Sequence, residues 1–109
     1  MSERFSATVT AGGEMPVIEL TGQIDRDAET ELLAAYELAS AGATAITLDF
    51  AETDYINSTG LAVLVQILAR ARSAGCEIHA YGLSDHYREI FEITRLSDFV
   101  TLHGERTAA

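Results

Sequence analysis

The segment "ITLDFAETDYINSTGLAVLVQILARARSAG", residues 46–75, sets three patterns end to end. Its start, within residues 44–50 (TAITLDF), is rich in apolar and β-branched side chains, as a buried strand is. A short polar loop over 51–57 follows, and from about 58 to 73 the apolar residues recur at helical spacing. Gly75 supplies a stop, with Arg70 and Arg72 in the last turns, where cations complement the helix dipole.

Working outward, residues 5–10 (FSATVT) alternate loosely and read as a strand, 11–14 as a turn, and 16–20 (PVIEL) as a second strand. The pair reads as a hairpin ended by Gly22. Asp25 or Asp27 offers a cap for a helix over about 28–40, in which Leu32, Tyr36 and Ala39 share one face while Glu29, Glu31 and Glu37 look towards water. Gly42 stops it. Beyond the quoted segment, 76–81 reads as a strand. Ser84 or Asp85 caps a third helix with Tyr87, Ile90, Phe91 and Thr94 on one side, and 99–102 forms a short final strand. The order β-β-α-β-α-β-α-β predicts a single α/β domain over 1–109, with its core at about 5–103 and a fraying tail at 104–109. Its sheet is mixed and mostly parallel, with right-handed crossovers and the hairpin as an antiparallel edge.

Composition narrows the function. The 109 residues are 48% hydrophobic and 22% charged, ordinary for one globular core. The net charge of −10 opposes direct binding to nucleic acid or anionic lipid, and no apolar run is long enough to span a bilayer. All seven cations are Arg, which removes the P-loop lysine and Schiff-base chemistry. One cysteine, Cys76, excludes an internal disulfide, and no charged leader opens the chain, so a cytoplasmic protein is expected. The acidity suits either a partner with a basic face or plain solubility.

Catalytic patterns are sparse. His79, His86 and His103 lack metal-ligand spacing, and Cys76 and His79 fall on opposite faces of a strand. Ser58 has neither a G-x-S-x-G elbow nor a histidine nearby, and Gly60 stands alone without a phosphate-binding glycine pattern. The expectation is a non-enzyme without cofactor or metal.

The second helix is unusual. Leu61, Leu64, Val65 and Leu68 form an i, i+3, i+4, i+7 stripe that suffices to dock it, yet Val63 and Ile67 lie on another face beside Ala62 and Ala69. Either the helix is buried on several sides or it offers surface to a partner. At its start, Ser58 reads first as a cap, because capping serines are common and phosphorylated ones are not; a phosphate there, or on Thr59 as second choice, would nonetheless be well received.

The same segment resembles the STAS domain of bacterial anti-sigma factor antagonists, in which a strand and short loop lead into Asp-Ser-(Ser/Thr)-Gly-Leu opening a helix. "VIELTGQID" (17–25) is similar to the family's second strand with its acidic ending, and "IFEITRLSDFV" (90–100) to its third helix and following turn. The resemblance implies a module that binds an anti-sigma factor/serine kinase, is phosphorylated at Ser58 and released, and is reset by a serine phosphatase. It implies a switch built of Asp25, Asn57, Thr59 and Gly60 around Ser58. Asp25, Asn57, Ser58, Leu61, Ala62 and Val63 would meet the partner, the domain acting as a monomer or weak dimer. Two positions depart from the pattern: Asn57 stands where Asp is usual, and Arg95 where a small residue, commonly Gly, follows the third helix. A STAS subunit that docks on a membrane transporter without phosphorylation is the alternative. Nucleotide binding is opposed by the missing glycines and the charge.

Overall fold

The computed structural model describes residues 5–10 and 15–105; the turn expected at 11–14 and the end of the tail lie outside them. The elements are β1 (Ser6–Thr10), β2 (Val17–Ile24), α1 (Glu29–Ser40), β3 (Ala45–Ile56), α2 (Ser58–Ser73), β4 (Glu77–Tyr81), α3 (Asp85–Ile93) and β5 (Thr101–Leu102). Short 3-10 turns at Arg26–Ala28 and Leu96–Asp98 precede α1 and β5. The expected order holds throughout. The five strands lie in the order β1-β2-β3-β4-β5, with β1 antiparallel to β2 and the remaining neighbours parallel.

Three crossovers that step the same way with the same hand bring the helices to one face of the sheet. Ile18, Leu48 and Ala80 stand side by side in the register on that face, as do Ile46 and Ile78, and all are buried. With Leu32 and Tyr36 of α1, Leu64 and Ile67 of α2 and Phe91 of α3 they form one core, which α3 enters through an edge-on contact of Phe91 with Phe50. The opposite face carries Glu19, Asp49 and Tyr81 in register, with Thr47 beside His79.

Two strands are longer than the sequence pattern predicts. β2 does not end at Gly22 but passes through it at φ 93° to Ile24, with a register shift between Gly22 and Gln23 that a glycine tolerates. β3 absorbs most of the expected 51–57 loop: residues 51–55 are largely exposed, so they carry no burial signal, and the ladder with β2 holds them in line. Helix α2 spans the expected residues, but its docking stripe differs. Gly60, Val63, Leu64, Ile67, Leu68 and Ala71 face the core, Leu61 is half-buried and Val65 is 41% exposed. The expected stripe through Leu61 and Val65 is therefore turned too far towards solvent.

Asp25 caps the 3-10 turn that leads into α1, accepting the Asp27 N–H at 2.9 Å. Glu31, expected to face water, accepts the Ala7 N–H at 2.9 Å and so covers part of the β1 edge. Ser84 rather than Asp85 caps α3. Arg95 adopts φ 68°, the left-handed position that favours glycine after a helix, and pairs with Asp98 at 3.2 Å.

Candidate functional site

The start of α2 is built from the ends of β2 and β3. Ile24 and Ile56 are partners at the end of the β2–β3 ladder, and the next residue, Asn57, donates its N–H to the Ile24 carbonyl at 3.1 Å. The Asn57 side chain turns back to accept the Gly60 N–H at 2.8 Å, and its carbonyl accepts the Leu61 N–H at 2.8 Å. Asn57 is thus the N-cap of α2. Gly60 is buried against Ile24, so close that a Cβ there would stand 2.0 Å from the Ile24 carbonyl oxygen. Only a residue without a side chain lets the helix enter at this point.

Because Asn57 caps, Ser58 does not. Ser58 is the first helical residue, exposed, and its hydroxyl makes no hydrogen bond among the described residues. Thr59 beside it is likewise exposed. Both lie where the first-turn amides and the helix dipole favour negative charge. Ser58, Ala62, Val65 and Ala69 follow at i, i+4, i+7 and i+11 and form an exposed strip of small and apolar residues, bordered by half-buried Leu61. Tyr55, 52% exposed, stands just before the loop. Asp25 is half-buried and follows Ile24 directly, which places it next to this tip. Of the residues expected to line the surface, Val63 alone belongs elsewhere: at 2% exposure it packs in the core and offers nothing to a partner.

Elsewhere, the sheet brings together two histidines that lie 24 positions apart in sequence. His79 Nδ1 and His103 Nε2 are 2.9 Å apart, with Tyr81 stacked on His103 at 4.3 Å between centroids. No sequence spacing announces this pair; it follows from the parallel register of β4 and β5. Among the described residues no group of three histidine, cysteine or acidic side chains could hold a metal ion, and no helix is long and apolar enough to cross a membrane. Cys76 is buried, and burial, aided by the neighbouring Glu77 charge, pushes its thiol above the usual range, away from nucleophilic character.

Known proteins share this fold. The family model described as "Mlab, STAS domain" matches residues 7–102. The chain belongs to the STAS domain family. An anti-sigma-B factor antagonist from Listeria monocytogenes is 33% identical over 86 residues, which cover 78% of this STAS domain and 75% of the relative. Among solved structures, an anti-sigma factor antagonist from Mycobacterium paratuberculosis has the same fold, with a TM-score of 0.78 over 94% of this chain and 90% of that one at 18% identity. The Bacillus cell fate determinant SpoIIAA in its phosphorylated form matches at a TM-score of 0.71, covering 94% and 92% of the two chains at 18% identity. This STAS domain thus has relatives named as anti-sigma factor antagonists, and a serine opens its α2.

Proposed function

We propose that this STAS domain is an anti-sigma factor antagonist, a cytoplasmic binding module that sequesters an anti-sigma factor/serine kinase and is released when Ser58 is phosphorylated. The observation that carries the reading is the Ser58 hydroxyl, exposed and without a partner at the first position of α2 because Asn57 has taken the cap. The name of the Listeria relative and the phosphorylated form of SpoIIAA support it. The partner would dock over Asp25, Asn57, Ser58, Leu61 and Ala62, continuing along the strip to Val65. A phosphate there adds roughly −1.5 to −2 charge at the head of that strip, and with it repulsion and a desolvation cost at a packed interface. A serine phosphatase would restore binding. The role is one of binding rather than catalysis, by a monomer or weak dimer, without direct contact to nucleic acid or membrane.

The test is to incubate the domain with its genomic-neighbour kinase and ATP and to map the phosphopeptide. Modification is expected at Ser58 and lost in Ser58→Ala, and Ser58→Asp should weaken kinase binding at least about tenfold. Absence of phosphate both in wild type and in Asn57→Asp would leave the second reading, constitutive docking on a membrane transporter. That reading is favoured by Asn57, which caps the helix without the charge usual before the phosphorylated serine.

A further inference from the structure

β3 overhangs one of its neighbours. Its ladder with β4 ends at the Asp49–Tyr81 pair, whereas its ladder with β2 runs on to Ile24–Ile56. Beyond Asp49 the β4 side of the strand therefore needs other partners for its backbone. At Ile56 that partner is Tyr87 of α3. The Ile56 N–H donates to the Tyr87 hydroxyl oxygen at 2.9 Å, and the same hydroxyl donates to the Ile56 carbonyl at 3.3 Å. One phenol thus serves both backbone groups of the residue two positions before Ser58.

Tyr87 is itself held firmly. Its N–H donates to the capping Ser84 hydroxyl at 3.3 Å, and its ring packs partly buried against the core. The next residue, Arg88, donates to the His103 carbonyl at 2.9 Å and ties the first turn of α3 to the chain just beyond β5. The Ile56–Asn57 pair is therefore gripped from both sides, by Tyr87 at Ile56 and by the Ile24 carbonyl at Asn57. A cleft lined by Phe50, Thr53, Ile56, Leu83 and Tyr87 separates the overhanging strand from the start of α3, so the hydroxyl is the polar bridge across it.

We infer that Tyr87 is the positioning residue of the Ser58 loop: its hydroxyl fixes Ile56, and through Ile56 the direction in which Asn57 and Ser58 leave the sheet. Its consequence for phosphorylation rests on the Ser58 switch proposed above. A kinase must meet the serine hydroxyl in line with the transferred phosphoryl group, so the angle of this loop governs the chemical step. The part of the docking surface beyond Ser58, through Leu61, Ala62 and Val65, lies further along α2 and is set by the core face of the helix, so most of that surface stays in place when the loop shifts. Loosening the clamp therefore lowers kcat for Ser58 phosphorylation and leaves KM in place.

Tyr87→Phe keeps the ring and removes the hydroxyl. Hydrogen exchange is read at the amides of Asn57, Gly60 and Leu61, which are bonded within this loop. They are expected to exchange about tenfold faster in the variant, a change of ~1.4 kcal/mol, while the amides of Leu48 and Ile78 at the sheet centre keep their wild-type rates. With the kinase, kcat at Ser58 should fall about tenfold at unchanged KM. Unaltered exchange at the three amides, or an increase spread evenly over the sheet, overturns the inference, and so does a rise in KM at constant kcat. Should Tyr87→Phe not fold, Ser84→Ala frees the Tyr87 amide and is read in the same way, with an expected increase of about threefold. A kinase that leaves wild-type Ser58 unmodified sinks the switch, and exchange then decides the role of Tyr87 without it.

Discussion

Replacing Asn57 with alanine removes the oxygen that satisfies the Gly60 amide, and should cost about 1 kcal/mol, seen as a lower urea midpoint at unchanged slope. Replacing its neighbour Ser58 with alanine should move the midpoint by less than about 0.5 kcal/mol, because that hydroxyl holds nothing in place. Equal losses in the two variants would mean that the cap is shared, and would remove the ground for treating Ser58 as a free hydroxyl. The pair also shows why adjacent Asn and Ser cannot be ranked as caps from sequence: both types cap well, and a shift of one residue in the helix start exchanges their roles. Gly60 decides it. Pressed onto the Ile24 carbonyl, it fixes where the helix begins, and hence which oxygen reaches the third amide.

At the level of elements, α2 separates a face that stabilises from a face that is free. Ile67 is wholly buried, and Ile67→Ala should cost about 2–5 kcal/mol. Val65→Ala, at 41% exposure, should cost under about 1 kcal/mol in the same denaturation experiment. A large loss at Val65 would show that the strip is covered within the molecule and is not surface. From the sequence alone α2 offered two overlapping stripes, one through Leu61 and Val65 and one through Val63 and Ile67, equally apolar. The choice between them was made by the contact of Gly60 with Ile24, a long-range approach that no local periodicity records. The order of the elements was readable because each strand core and helix carries its own period. The far ends of β2 and β3 were not. Their exposed polar residues and Gly22 look like loop, and only the pairing of one strand with the other makes them strand.

For the whole molecule, charge is the dominant unused force. Seventeen acidic residues face seven arginines, and among the described residues only two ion pairs join an arginine to a carboxylate, both exposed. Such pairs contribute little, so net self-repulsion remains in the folded state. Raising salt from about 10 mM to about 150 mM shortens the screening length from about 30 Å to about 8 Å. It should raise the melting temperature by roughly a few degrees; a fall would mean that attractive pairs outweigh the repulsion. Family membership was legible because the motifs at residues 17–25, 46–75 and 90–100 occur in the right order along one chain. The His79–His103 pair was not, since it belongs to the assembled sheet rather than to any segment.

The seam between the start of α2 and the end of β2 bears on how such a switch would signal. Asn57 is bonded to Ile24, and Gly60 lies flat against the same peptide, so the tip of the helix has no slack. A phosphate added at Ser58 could not be accommodated by swinging the helix aside. On the proposed reading, the modification would work as a label and not as a lever: the modified and unmodified domains would share one shape, and the difference would be felt only by the protein that reads it.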